Sequence, residues 1–368
     1  MKSDMMLTLP AVFAVGEEYQ IMVPVNSSCT MKIVCGEREF FDHSNGALRS
    51  NTKVHRVILP MSVLNCARKY TVVLRKVIDR KPYFPETLEE ESYDYEFKPV
   101  QGTKLRIYQI ADAHGKSELA SLAALKAGEI DALVLNGDIP NHCGDFENVM
   151  TIYKIAEKVT GGTIPCIFSR GNHDARGYLA EEYADYTPTN YGKSYYSVKL
   201  GHVWMLIIDC GEDKDDGSIE YGNTVACHPF RIEETAYIES VIKNAQHEYL
   251  ASDVTQRIVV CHVPFSKRQP APFDIEEGIY TYWMQLLREH IKPDVMLCGH
   301  KHACEYHEPG GEYDDLGQCS PIRVGAKFDD NSYTGTYLEF DGEKREISMS
   351  FTDSNGHRFG NRIIGRTE

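Results

Sequence analysis

LRIYQIADAH, residues 105–114, is an apolar run that stops at Asp112 and, two places on, His114. The pattern recurs. ALVLNGD (132–138) ends in Gly137 and Asp138, and IPCIFSRGNHD (164–174) runs into Gly171, Asn172 and His173. IVVCH (258–262) ends in His262, and VMLCGHKH (295–302) in His300 and His302. Short apolar runs bounded by polar and glycine residues predict buried strands, as does 203–208. The stretches 117–127, 145–159, 232–249 and 280–290 predict helices between several of them. Strands alternating with helices predict a layered α/β domain from Lys104 onward, with sheet again over 322–351.

The first hundred residues differ. Strand candidates at 19–25, 31–34, 53–59 and 69–77 are separated by turn residues, which predicts an antiparallel β-sandwich. The acidic stretch 86–91 follows Pro82 and Pro85 and reads as an exposed loop, 93–97 as a last strand, and 98–102 as a linker. Two domains are therefore expected: a β-sandwich over 1–100 and a catalytic domain over 104–368. The apolar segment 5–15 carries Pro10 and follows Asp4; it reads as a first strand in preference to a cleaved signal peptide.

Composition narrows the function. At 42% hydrophobic and 25% charged, the 368 residues form an ordinary globular protein. With 54 Asp and Glu against 39 Lys and Arg, the formal charge is −15. General attraction to nucleic-acid polymers or anionic membranes is not expected. No run reaches the ~18 apolar residues of a membrane span. The 11 cysteines are odd in number, and Cys166, Cys210, Cys261 and Cys298 lie in or at the end of apolar runs. With no C-x-x-C spacing, they suggest free thiols and a cytoplasmic protein.

Ligands of α/β folds gather beyond the carboxyl ends of strands. Five strands ending in Asp, Asn or His point to one shared site. Imidazole, carboxylate and amide oxygen suit divalent transition metals such as Mn, Fe or Zn. Asp112, His114, Asp138, Asn172, His262, His300 and His302 are too many for one tetrahedral ion. They suffice for two ions about 3.5–4 Å apart, with a carboxylate, naturally Asp138, between them. Gly137, Gly171 and Gly299 would let the backbone turn sharply beside the ions.

D-x-H, G-D, G-N-H-D, a lone H and G-H-x-H, in this order, resemble the calcineurin-like metallophosphoesterases from about Lys104 to the end of the chain. The resemblance implies a four-layer α/β/β/α sandwich with a dinuclear centre at one edge, preceded here by a fibronectin III- or immunoglobulin-like sandwich. It implies that Asp112, His114 and His302 bind one metal, that Asn172, His262 and His300 bind the other, and that Asp138 bridges the two divalent or mixed-valence ions. It makes His173 the general acid beside the leaving group. The implied reaction is hydrolysis of a small phosphomonoester or phosphodiester by a hydroxide held between the metals. The rival reading is a catalytically silent ligand-binding protein on the same fold.

Departures from subfamilies sharpen this. Protein Ser/Thr phosphatases carry a second Asp where Asn141 stands, so either Asn141 or another carboxylate, such as Asp174, must orient His173. Purple acid phosphatases share the domain order but place a Tyr ligand at that position and Gly in place of His114; no tyrosinate colour is expected. His142 and Arg176 lie just past ligands and are either substrate contacts or loop residues. Asp209 also ends a strand, where it either joins the site or caps a turn. The polar stretch 211–229 is either a surface loop or a substrate-selecting lid, within which Tyr221 is a candidate to stack on a base. Lys267 and Arg268 add positive charge to the rim.

Overall fold

Strands that are buried at every position need cover on both faces, and this governs the architecture. Ala132–Asn136, Cys166–Ser169, Val203–Ile208 and Val295–Cys298 are buried along their whole length. The structure, a computed structural model, describes residues 2–318 and 320–365.

A ten-stranded mixed sheet is centred on the parallel strands Lys104–Ile110, Ala132–Asn136 and Cys166–Ser169. Antiparallel C-terminal strands, Tyr333–Asp341, Glu346–Asp353 and Arg358–Gly365, extend it on one side. A second sheet has six strands, with Val203–Ile208, Gln256–Cys261 and Val295–Cys298 parallel and adjacent. The two sheets pack face to face: Ile107, Val134 and Ile167 share a core with Met205, Ile207, Val260 and Leu297. Helices Ser117–Ala127 and Phe146–Thr160 cover the outer face of the larger sheet. Cys227–Lys243 and Glu277–Leu286 cover that of the smaller. The four layers are α/β/β/α.

The expected division at residue 100 is crossed by the larger sheet. Ala11–Val15 pairs in parallel with Cys166–Ser169, and Glu18–Pro24 and Val54–Pro60 continue the sheet beyond it. The reason is visible in AVFAV: an unbroken apolar run belongs inside a sheet covered on both faces, not in a half-exposed sandwich strand. Val12 and Ala14 face the inter-sheet core, whereas Ala11 and Phe13 face the helices. A separate antiparallel sheet does form, from Arg38–Phe41, Cys29–Cys35, Lys69–Asp79 and Glu86–Glu96. Met31, Ile33, Val72 and Leu74 on it pack into the same core as Tyr19, Ile21 and Val57. The N-terminal sandwich thus borrows one of its layers from the catalytic sheet.

Two local expectations change. Residues 86–91 are strand, not loop: they are the exposed start of Glu86–Glu96, where Glu90 pairs with Arg75 at 3.1 Å. Charged residues are what an edge strand needs, so composition alone did not separate edge from loop. The helix expected from 232 begins at Cys227 because Asp216, 11 residues upstream, accepts the amides of Cys227 and His228 at 2.9 and 3.0 Å.

Phe13 ties the N-terminal strand to the catalytic layers, edge-on to Tyr153 and Phe168 at 6.4 Å each. Phe13→Ala is expected to cost about 3–5 kcal/mol in urea unfolding. A loss below about 1 kcal/mol, at the scale of a neutral surface change, would show that the core is not shared.

Candidate metal centre

The site lies where two sheet edges meet. Asp112, Asp138 and Asn172 follow three adjacent parallel strands of the larger sheet; His262 and the His300–His302 segment follow two of the smaller. Buried amides join the sheets beneath it. Asn136 Nδ2 donates to Leu297 O at 3.1 Å, and Gln109 Nε2 to Cys298 O at 2.9 Å. Asn136 O accepts His262 Nδ1–H at 2.8 Å, and the Asp112 carboxylate accepts the His300 amide at 2.9–3.0 Å. Tyr333 accepts the Ala111 amide at 3.0 Å, one residue before Asp112. None of these supports was singled out from sequence; a polar side chain within an apolar strand, as at Gln109 and Asn136, was the available signal.

All seven expected ligands converge. His114 Nε2 lies 3.1 Å from His302 Nε2, and His302 Nε2 lies 3.4 Å from Asp112 Oδ1. On the other side, His262 Nε2 is 3.1 Å from Asp138 Oδ2, and His300 Nδ1 is 3.1 Å from Asn172 Oδ1. Asp138 stands between: its Oδ2 is 3.9 Å from His114 Nε2. Asp112, His114, Asp138, His300 and His302 all have left-handed backbones, with φ between +42° and +69°. Such conformations are costly for these residues and cluster where function requires them.

The glycines act mainly by lacking a side chain. Of Gly137, Gly171 and Gly299, only Gly137 has positive φ, +78°, and a Cβ on it would come within 2.5 Å of the His262 ring. A Cβ on Gly299 would meet Asp112 Oδ2 at 2.7 Å, and one on Gly171 would collide with the Asp138 carboxylate.

The donor set fits divalent cations. With Nδ1 of His262 donating to a carbonyl, its Nε2 faces the Asp138 carboxylate oxygen at 3.1 Å. These two atoms need positive charge between them. Burial disfavours an imidazolium at His262, yet Asp138 and Asp112 outweigh it and raise its pKa to about 10. Here a proton satisfies the same demand a cation would. Burial also raises Asp138, but His262, His173 and His114 reverse this and hold it well below the usual carboxylate range. Burial lowers His114 to about 4 and, helped by His262, lowers His300 to about 3. Both rings are neutral at physiological pH, the form that ligates.

His173 joins the cluster, its ring 4.7 Å from that of His114 and its Nε2 4.0 Å from Asp138 Oδ2. Its orienting partner is the backbone carbonyl of Asn141, which accepts Nδ1–H at 2.8 Å. Asp174 does not take that role. It is fully buried and accepts the amides of Gly171 and Asp138 at 2.6 and 3.0 Å and the Tyr183 hydroxyl at 2.8 Å. Burial and the charge of Asp138 push its pKa up to about 7.

Arg176 lies at the rim. It donates to Glu212 through two bonds of 2.8 Å and sits 3.3 Å from His173 Nε2. His142 is drawn into its own loop, accepting the Gly144 amide at 3.0 Å. Asp209 holds Arg170 at 2.6 Å and the Gly211 amide at 2.8 Å, a capping role. Tyr221 is buried, with its hydroxyl on Asp213 at 3.0 Å. Carboxylates that lock the loop after residue 208, Glu212 and Asp216, were not recognised as such from sequence.

The sequence matches the model of the calcineurin-like phosphoesterases over residues 105–304. That is more than half of the chain, and the protein belongs to this family. No curated protein matches it significantly. Among solved structures, a purple acid phosphatase from yellow lupin (Lupinus luteus) seeds is similar, with a TM-score of 0.60 at 14% identity over 97% of this chain and 74% of that one. At that identity the likeness speaks for the fold, and it includes the N-terminal region. A metallophosphoesterase from Sphaerobacter thermophilus is more distant, with a TM-score of 0.26 at 16% identity over 70% of this chain and 89% of that one.

Gly171→Ala should displace Asp138. We expect bound metal, measured by elemental analysis after reconstitution, to fall below half of the wild-type content. Full metal content in this variant would show that the approach of Gly171 to Asp138 is not needed.

Proposed function

We propose that the protein hydrolyses small phosphomonoesters or phosphodiesters at a dinuclear metal centre. Asp112, His114 and His302 would hold one ion, Asn172, His262 and His300 the other, and Asp138 would contact both. Divalent ions there supply Lewis acidity to the phosphoryl oxygens and water that is deprotonated near neutral pH. The observation that carries the reading is the convergence of seven His, Asp and Asn side chains on one site, in a chain of this family.

The protein's own groups have distinct tasks. Asn136 fixes the His262 tautomer by accepting from Nδ1, and the Asp112 carboxylate anchors the His300 amide. The Asn141 carbonyl holds His173 with Nε2 outward, where a proton on it can pass to a departing alkoxide. Arg176, tied to Glu212, brings Nη1 to 3.3 Å from that same Nε2 and so flanks the place where the leaving group would sit. The free and mostly buried thiols support a cytoplasmic location. Among the described residues no helix is long and apolar enough to cross a membrane.

The test is hydrolysis of nitrophenyl monoester and diester substrates by metal-stripped protein, supplied in turn with Mn, Zn, Fe(II) or Mg. Turnover restored by metal is expected, and the ratio of the two rates chooses the ester class. Two bound ions with no turnover on any substrate would favour the silent binding protein. Asp138→Asn should abolish turnover and lower metal content; near-wild-type activity would remove it from its shared position. His173→Ala should keep its metals and slow esters of poor leaving groups most, by roughly 10²–10⁴-fold, the range of general acid catalysis. Equal slowing of good and poor leaving groups would take His173 out of the acid role.

A further inference from the structure

Beside His300 the surface opens into a cleft of about 320 Å³. His300 and Lys301 form one side of it, and Glu212, the partner of Arg176, another. The cleft therefore shares a wall with the metal centre and reaches the residues around His173. Phe265, Phe273, Ile275, Tyr280 and Leu316 give it apolar and aromatic walls, and Glu212, Asp213, Asp274 and Glu277 line it together with Lys267 and Arg268. Nothing in the hydrolytic chemistry requires such a chamber; a binding site for an organic group does.

Lys301 is the unusual member. It stands between His300 and His302, whose left-handed backbones carry their rings to the metal centre, and it lines the cleft. The side chain is half-buried, and Nζ donates to the neutral amide oxygen of Gln269 at 3.2 Å. Neighbouring cations are matched: Lys267 pairs with Glu312 at 2.8 Å, Arg268 with Glu277 at 2.5 Å, and Lys214 with Glu220. Among the described residues no carboxylate lies within 4 Å of Lys301 Nζ, the nearest influences being Glu305 and Asp213 from further away. Of the carboxylates lining the cleft, Glu212 is held by Arg176 and Glu277 by Arg268, so an ammonium partly withdrawn from water beside apolar walls gains from an anion brought by a ligand.

We propose that the cleft receives the organic group of the phosphoester, and that this group is an apolar ring carrying an anionic substituent that pairs with Lys301. The inference rests on the phosphoesterase reading and names the substrate class of that same site. Phosphate at the metals and a second anion at Lys301, with a ring against Phe265, Phe273 and Tyr280 between them, account for every wall the argument uses.

The experiment compares 4-carboxyphenyl phosphate with phenyl phosphate on metal-reconstituted full-length protein. Intrinsic reactivity differs between the two esters, so the quantity read is the ratio of their kcat/KM values, compared between wild type and Lys301→Gln. The ratio is expected to fall at least tenfold in Lys301→Gln and to recover in Lys301→Arg, with metal content unchanged by elemental analysis. Phe273→Ala, remote from the ions, should raise KM for both aryl esters. An unchanged ratio in a Lys301→Gln protein that keeps its metals overturns the proposal.

Binding keeps the two readings separable. Calorimetry with 4-hydroxybenzoate and phenol reads the cleft without turnover. If no metal restores hydrolysis, the phosphoesterase reading fails while the cleft is still judged. Saturable binding of 4-hydroxybenzoate that weakens tenfold or more in Lys301→Gln supports it. Absent binding, or binding equal in both proteins, overturns it.

Discussion

A single hydrogen bond between the two sheets, from His262 Nδ1 to Asn136 O at 2.8 Å, sets the chemistry of the centre. It fixes the orientation of the imidazole and aims its Nε2 at Asp138. Asn136 acts twice, since its side chain also donates to Leu297 O on the opposite sheet. With Gln109 and Cys298 beside it, the pair of buried amides locks the register of the sheets where the ligands emerge. Displacing one sheet against the other would separate Asp138 from His262 and the Asp112 carboxylate from the His300 amide.

The backbone carries the cost of this convergence. Five of the seven expected ligands adopt left-handed conformations, each worth on the order of 1–3 kcal/mol. The surroundings over-determine them. Asp174, buried behind Asp138, collects three donors and joins the Gly171 turn to the Asp138 amide. Tyr333 clips the strand end before Asp112, and glycines stand wherever a Cβ would strike a ligand. The like-charged carboxylates and crowded imidazoles left at the centre are a charge arrangement that positive ions relieve.

The N-terminal region belongs to the same physical unit. Its first strand is an interior strand of the catalytic sheet, and the small antiparallel sheet closes over the exposed face of that extension. The opposite side of the site is shaped by the loop after residue 208. There Glu212 neutralises Arg176, and Asp216 starts the following helix. These contacts, with the Tyr221 hydroxyl on Asp213, anchor the stretch 211–229 at its start and at the helix that follows.

The order of apolar runs and their polar ends was legible in the sequence, because burial on both faces imposes continuous hydrophobicity and His, Asp and Asn at successive strand ends are the residue types that suit divalent metals. Those local requirements suffice for the α/β layers, the seven convergent side chains and His173. The small sheet's partner was not legible, since a strand's composition reports that it is covered and not by what. The partner of His173 was narrowed to Asn141 or a carboxylate such as Asp174, and the structure places Asn141 there through its backbone carbonyl, an atom with no signature in the residue that supplies it. Arg176 and His142 were equal candidates by position, and only the loop path put one at the rim and closed the other on itself. Lys301 was invisible for the same reason, because whether a cation is paired depends on groups far away in the chain. The sequence by itself determined which chemistry the strand ends can perform. Tertiary structure alone decided which lone pairs face each other, because that depends on the register of two sheets and not on any one segment.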